Sequence, residues 1–100
     1  MESEQRKAIA SGREKIDAID NSILSLLKER LSYAKEIGRF KDEGNRAKWD
    51  PLRERQIYER LLRDNGEIFP EDSLRSIFHE IITTCRLSQR KAVIAFLGPE

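Results

Sequence analysis

The sequence contains few of the residues that interrupt helices, form disulfides or bind metals. Among its 100 residues are 3 Pro, 5 Gly, 1 Cys and 1 His. A single cysteine excludes an intrachain disulfide and is typical of a reducing compartment. His79 has no Cys or acidic partner at the spacing of a metal site, so we expect no metal and no metal-dependent chemistry.

The chain also lacks an excess of charge of either sign. It carries 19 Lys+Arg and 18 Asp+Glu, a formal net charge of +1. No general basic field is therefore available for nucleic acid or an anionic membrane, and a helix-turn-helix DNA-binding protein is disfavoured. No apolar run is long enough to span a bilayer, and none resembles a signal peptide. These observations predict a cytoplasmic protein that binds neither nucleic acid nor membranes.

The first part of the chain has no proline before Pro51. Apolar residues recur there at spacings of three, four and seven, which predicts one helix of roughly 35 residues between Glu4 and Glu43. We expect the stretch "DEGNR", residues 42–46, to end it. The apolar positions are Ile16, Ile19, Ile23, Leu26, Leu27, Ala34, Ile37 and Phe40.

Two shorter helices are predicted after this long one. Asp50 is a good N-cap and Pro51 suits the first helical position, so a second helix begins there and ends near "DNG", residues 64–66. A third helix begins around residues 70–73 and runs to about Lys91. The tail "VIAFLGPE", residues 93–100, favours a short β-strand followed by a turn.

The length of the first helix indicates a partner. A helix of about 35 residues is about 52 Å long, whereas a compact 100-residue monomer has a radius of gyration of about 13 Å. Two shorter helices cannot cover such a rod, so we expect an all-α homodimeric bundle. The alternative is a monomer whose first helix is kinked or frayed near Gly38.

Several charged residues lie on faces that should be apolar. Arg30 interrupts a heptad stripe of isoleucines, and Lys41, eleven residues later, lies about 20° away around the helix axis. Glu54 and Gln89 share the inner faces of the second and third helices. One explanation is that Arg30 pairs with Glu54 while the long stems reach water. The set as a whole favours a pocket for an anionic, dicarboxylate ligand, because buried cations need compensation.

Three stretches, "REKIDAIDNSILSLLKERLSYAKEIGRFK", "DPLRERQIYERL" and "IFHEIITTCRLSQ", resemble the all-helical chorismate mutase domain. The resemblance covers roughly residues 11–90 and is closest to the form fused to prephenate dehydratase. The tail is similar to the opening strand of that dehydratase domain. The resemblance implies a mutase domain over 1–92 and the truncated start of a dehydratase domain over 93–100.

The resemblance implies an intertwined homodimer of six helices, three from each chain, with one helix of each chain very long. It also implies the substrate chorismate, which is rearranged to prephenate without a covalent intermediate and without a cofactor. A non-catalytic helical dimerisation or regulatory module remains the alternative, with the charges forming salt bridges between helices.

The family pattern assigns roles by position in this sequence. Arg13 corresponds to the arginine contributed by the partner chain, and Arg30 to the one that binds a substrate carboxylate. These two residues are seventeen positions apart, about 25 Å along one helix. If both serve one small ligand, an antiparallel partner helix must bring Arg13 of one chain to Arg30 of the other. Lys41 and Gln89 correspond to the two donors to the ether oxygen. Glu54 corresponds to the residue that binds the ring hydroxyl. The remaining substrate-binding positions are Asp50, Arg53 and Cys85, the last standing where several relatives have serine.

Overall fold

The computed structural model describes residues 2–40 and 50–97, with side chains through residue 89. Its helices are α1 (Glu2–Phe40), α2 (Pro51–Asn65) and α3 (Glu71–Leu97). No strand occurs in these two segments. The all-α fold with three helices, one of them very long, is therefore confirmed.

The first helix, α1, is continuous over 39 residues. Glu2 and Glu4 lie in its first turn and Arg39 in its last, so the charges match the helix dipole at both ends. The fraying considered for a monomer near Gly38 is not seen, because the helix continues to Phe40. The predicted stop at "DEGNR" lies outside the described residues.

The second helix, α2, begins and ends as its capping residues predict. The Asp50 side chain caps the N-terminus and Pro51 occupies the first turn. At the C-terminus Gly66 adopts the left-handed conformation, with φ of 58°, where a side chain would be strained. The side chain of Asn65 then accepts from the Phe69 N–H (3.0 Å) and donates to the Phe69 carbonyl (2.8 Å), which shapes the turn into α3.

The third helix, α3, is longer than the sequence predicts. It extends to Leu97, so the β-strand predicted for residues 93–100 is wrong at 93–97, and the last three positions lie outside the described residues. An isolated strand leaves its backbone groups without partners. Continuing the helix pairs each N–H with the carbonyl four residues earlier, which explains the difference.

The helices form an elongated, open arrangement. α1 packs along α3, and α2 contacts α3 much more sparsely. The molecule measures 66 × 31 × 15 Å, and its radius of gyration is 18.7 Å, well above the roughly 13 Å of a compact 100-residue domain. A single chain therefore encloses little volume of its own.

The buried core is correspondingly small. Among the described side chains, the buried apolar ones are Ala34, Ile57, Ile82 and Cys85. The part of α1 up to Leu26 keeps its large apolar residues in solvent, where six of them are 49–61% exposed. These are Ile9, Ile16, Ile19, Ile23, Leu24 and Leu26.

Candidate functional site

A cleft of about 410 Å³ lies between the C-terminal part of α1, the first turn of α2 and the middle of α3. Volumes of roughly 300–1,000 Å³ are usual for small-molecule sites. Apolar side chains form part of the wall and polar side chains the rest. The polar lining residues are Arg30, Asp50, Arg53, Glu54, Arg86 and Gln89.

The α1 wall consists of residues at helical spacing. Arg30, Ala34 and Ile37 all line the cleft, and steps of four and three residues place them on one face of the helix. Arg30 is half-buried there. The arginine thus interrupts the isoleucine stripe of α1 at the point where the stripe reaches the cleft.

The first turn of α2 is fixed by its cap. Oδ1 of Asp50 accepts from the Arg53 N–H at 3.1 Å, and the Asp50 carbonyl accepts from the Glu54 N–H at 3.0 Å. These bonds satisfy donors that the start of a helix otherwise leaves unpaired. Arg53 and Glu54 consequently reach the cleft from a well-defined turn, and the positive end of the helix dipole favours the two carboxylates there.

On α3, Ile82, Arg86 and Gln89 line the cleft. Nη1 of Arg86 donates to Oε2 of Glu54 at 3.0 Å, and their side chains are only 30% and 23% exposed. The suggested Arg30–Glu54 pair is therefore wrong, because among the described residues the ion-pair partner of Glu54 is Arg86.

The sequence reasoning missed Arg86, although a signal for it was present. Arg86 follows Ile82 by four residues and precedes Gln89 by three, so it lies on the same face of α3. A cation on an apolar helix face is the pattern that singled out Arg30. Applying the same criterion to α3 would have found Arg86.

Gln89 lies on α3 where the backbone of that helix comes close to Gly38 of α1. A Cβ atom built on Gly38 would lie 2.7 Å from the Gln89 carbonyl oxygen and 2.8 Å from its Cα. Glycine is therefore required at this crossing, because the atoms in the way belong to the backbone. The missing side chain of Gly38 lets α1 approach α3 and sets where Gln89 enters the cleft.

Two of the predicted site residues, Arg13 and Cys85, do not line the cleft. Arg13 is exposed near the N-terminal end of α1, seventeen positions before Arg30. Cys85 is a free thiol that is 7% exposed and is not part of the cleft wall. Lys41 lies outside the described residues.

The described residues hold no group of His, Cys, Asp and Glu side chains that could bind a metal ion. His79 is exposed on α3. Neither 2–40 nor 50–97 contains a helix long and apolar enough to cross a membrane.

Comparison with known families decides the relationship of the chain. The family model for chorismate mutase type II matches residues 12–90, a range that contains every residue lining the cleft. The chain belongs to the type II chorismate mutase family. The match spans α1 from Gly12, all of α2 and most of α3.

The relatives include fused and shorter proteins. The chain is 44% identical over 92 residues to the bifunctional chorismate mutase/prephenate dehydratase of Aquifex aeolicus, covering 88% of this chain and 25% of that protein. It is 38% identical over 88 residues to the protein of the same name from Neisseria gonorrhoeae, covering 88% of this chain and 24% of that one. The chorismate mutase of Methanocaldococcus jannaschii is 45% identical over 55 residues, which is 55% of this chain and 56% of that protein.

The chain therefore spans about a quarter of the length of the first two relatives. No solved structure matches it at a significant level.

Proposed function

We propose that the chain rearranges chorismate to prephenate in the cleft between α1, α2 and α3. The observation that carries this proposal is the convergence of Arg30, Arg53 and Gln89 on one ligand-sized cleft in a member of the type II chorismate mutase family. Guanidinium groups bind carboxylates with two parallel hydrogen bonds, which suits a small dicarboxylate.

The family resemblance assigns the residue roles in this proposal, and each role suits the chemistry of the substrate. Arg30 binds one carboxylate, and Arg13 of a partner chain binds the other end of the molecule. Lys41 and Gln89 donate to the ether oxygen, where negative charge develops as the bond breaks. Glu54 accepts from the ring hydroxyl.

Asp50 and Arg53 complete the polar wall at the start of α2, where the cap already orders them. We assign Cys85 to packing between helices, because it is buried away from the cleft wall.

The reaction is a one-step rearrangement within a single molecule, so it requires no nucleophile and no redox cofactor. It requires a compact substrate conformation and fixed donors at the oxygen that gains charge. A million-fold acceleration corresponds to about 8 kcal/mol of transition-state stabilisation. Two fixed hydrogen-bond donors and the restraint of the substrate conformation can together supply stabilisation of that size.

We further propose that the site forms in a homodimer. The chain exposes 8328 Å², whereas a compact monomer of 11.7 kDa exposes about 5,900 Å². The excess of about 2,400 Å² per chain has the size of an obligate dimer interface. An antiparallel partner on the exposed isoleucines of α1 would cover that face and bring Arg13 of the second chain to the cleft, giving the intertwined six-helix bundle.

The tail is proposed to lead into a second domain. Residues 93–100 resemble the start of a prephenate dehydratase domain, and the relatives from Aquifex aeolicus and Neisseria gonorrhoeae carry both activities in their names. In this proposal residues 1–92 form the mutase domain, and a dehydratase domain follows it in the full-length protein.

The direct test is the loss of chorismate absorbance with the purified chain. Arg30→Ala should lower kcat/KM about 100-fold or more, because it removes a charged contact with the ligand and leaves a carboxylate unpaired. Arg63→Ala is the matched control, since Arg63 is an exposed arginine of α2 whose partner Asp64 is also exposed. It should retain wild-type kinetics.

Binding of a dicarboxylate transition-state analogue, measured by calorimetry, gives a second readout. The wild type should bind it and Arg30→Ala should not. A folded wild-type chain that neither consumes chorismate nor binds the analogue would contradict the proposal and favour a non-catalytic dimerisation module.

A further inference from the structure

The ion pair between Arg86 and Glu54 differs from the other ion pairs of the described residues. It joins α3 to α2 across 32 positions of sequence, with the two side chains 30% and 23% exposed. The other pairs link residues within four positions of one another, and their side chains are 48–86% exposed. Surface pairs of that kind contribute little, whereas a partly buried charged hydrogen bond contributes more.

The pair also connects elements that otherwise touch sparsely. α2 makes far less contact with α3 than α1 does, and its first turn carries three of the polar residues of the cleft. A charged hydrogen bond from Arg86 to that turn therefore fixes where the Glu54 carboxylate points. Because the bond uses Oε2 of Glu54, it does not involve Oε1, which can accept a hydrogen bond from a ligand hydroxyl.

The charge of Glu54 poses a problem for a site that binds a dianion. A carboxylate in the cleft wall repels ligand carboxylates, and the repulsion grows as water is displaced from the cleft. Arg86 places a positive charge 3.0 Å from Oε2 and offsets that repulsion. The Glu54 carboxylate can therefore accept a hydrogen bond from a ligand hydroxyl while it repels the ligand carboxylates less.

We propose that Arg86 is the positioning residue for Glu54, holding this carboxylate in place for a ligand hydroxyl and offsetting its charge beside a dicarboxylate. This inference rests on the proposed function, since it concerns the ligand of the same cleft. It assigns Arg86 no direct contact with the substrate. Its effect passes through Glu54, and that distinguishes it from the roles given to Arg30 and Arg53.

The test is a double-mutant cycle on chorismate turnover with R86Q, E54Q and the double variant. R86Q should raise KM about tenfold with a smaller change in kcat, because the repulsion acts on bound substrate and transition state alike. In the E54Q background R86Q should change KM less than about twofold, because the carboxylate that Arg86 serves is gone. R86K keeps the charge without the planar fork and should recover part of the loss.

The matched control is R75Q on the same helix. Arg75 pairs with Glu71 at 3.2 Å and lies 6.0 Å from the Tyr58 ring of α2, away from the cleft. R75Q therefore removes another contact between α3 and α2 and should retain wild-type KM and kcat. Circular dichroism and light scattering establish that each variant is folded and has the mass of the wild type. If R86Q does not fold, R86K replaces it in the double-mutant cycle. R86K should then show a smaller rise in KM, and this rise should disappear in the E54Q background.

Two results would overturn the inference while leaving the proposed function intact. One is an active wild type whose KM is unchanged by R86Q. The other is a rise in KM of equal size in both backgrounds, which would mean that Arg86 contacts the ligand directly. A wild type inactive on chorismate would overturn the proposed function, and this inference with it.

Discussion

Gln89 is the residue at which the charge requirement of the cleft can be tested most directly. Its amide donates a hydrogen bond without carrying an ionisable proton, so its contribution should not change with pH. Gln89→Glu should resemble the wild type at low pH and lose activity as the new carboxyl group ionises. An ionised carboxylate would stand beside an oxygen that is itself gaining negative charge, at a cost of about 3 kcal/mol.

The measurement is kcat/KM from about pH 3 to 8, with the fall in the variant compared with the ordinary glutamate pKa of about 4.3. Gln56→Glu is the matched control, because Gln56 is exposed on α2 and does not line the cleft. Its profile should follow the wild type. If the Gln89→Glu profile runs parallel to both, Gln89 does not face the reacting oxygen.

Ser88, next to Gln89 but turned into the helix packing, gives a prediction about stability. It is 7% exposed, and its hydroxyl has no hydrogen-bond partner among the described residues. Ser88→Ala should raise the free energy of unfolding by about 1 kcal/mol, because it removes an unsatisfied buried group. Ser76→Ala is the control, because Ser76 is exposed on α3. This substitution improves helix propensity alone and should raise the free energy of unfolding by at most about 0.5 kcal/mol. Urea unfolding that showed no greater stability for Ser88→Ala than for Ser76→Ala would contradict this.

At the residue scale, the sequence identified those polar side chains whose position broke a visible apolar pattern. Arg30 was found because a heptad stripe of isoleucines made it conspicuous, and it does line the cleft. The partner of Glu54 could not be chosen from the sequence, because Arg30 and Arg86 both carry the charge that pairs with a carboxylate. Choosing between them requires knowing how α1, α2 and α3 are placed relative to one another.

At the scale of the helices, the crossing of α1 and α3 depends on the absence of one side chain. A Cβ on Gly38 would meet Gln89 backbone atoms at 2.7 and 2.8 Å, whereas a Cβ on Gly12 would meet nothing within 4 Å. The same substitution on the same helix should therefore have opposite effects. Gly12→Ala should raise the free energy of unfolding by about 1 kcal/mol, because alanine has a higher helix propensity than glycine. Gly38→Ala should destabilise by about 1–3 kcal/mol, because α1 and α3 must separate.

Urea unfolding measures both changes, and calorimetry with a dicarboxylate analogue adds a functional readout. Gly38→Ala should also weaken binding, because separating the helices displaces Gln89 from the cleft. Gly12→Ala leaves the contact between α1 and α3 unchanged, so it should bind the analogue more tightly than Gly38→Ala does. If Gly38→Ala matched Gly12→Ala in stability and affinity, the close approach of the two helices would not exist in solution.

The ends of the helices were predictable wherever capping residues mark them. Asp50, Pro51 and Gly66 fixed α2 to within a residue, because caps act locally. The strand predicted for 93–97 failed because β-branched and aromatic residues favour a strand only where another strand is available for pairing. The role of Gly38 could not be predicted either, because the sequence alone does not show which helix crosses α1 at this position or how close the two backbones come.

At the scale of the whole molecule, the shape of one chain predicts its assembly. α1 is about 58 Å long, and its isoleucines at 9, 16, 19 and 23 are about half exposed. Burying such a stripe in a second copy is strongly favourable, at about 25 cal/mol for each Å² of apolar surface. Light scattering at micromolar concentration should therefore give twice the chain mass of 11.7 kDa. A mass near 11.7 kDa would contradict the dimer and, with it, the shared site.

The sharing of the site between two chains can be tested by mixing inactive variants. Arg13→Ala and Arg30→Ala should each be nearly inactive alone, because each removes one contact from both sites of a dimer. In a mixed dimer, one site lacks both arginines while the other has both. With equal amounts and free exchange, about half the dimers are mixed, so roughly a quarter of wild-type activity should return.

Two controls accompany the mixing experiment. Mass spectrometry of the intact dimers confirms that the chains exchange. Mixing Arg30→Ala with Arg63→Ala gives the activity expected when one of the two chains carries no defect in the site. No recovery among confirmed mixed dimers would mean that each site is built from a single chain, and that Arg13, exposed about 25 Å from Arg30 along α1, serves no ligand.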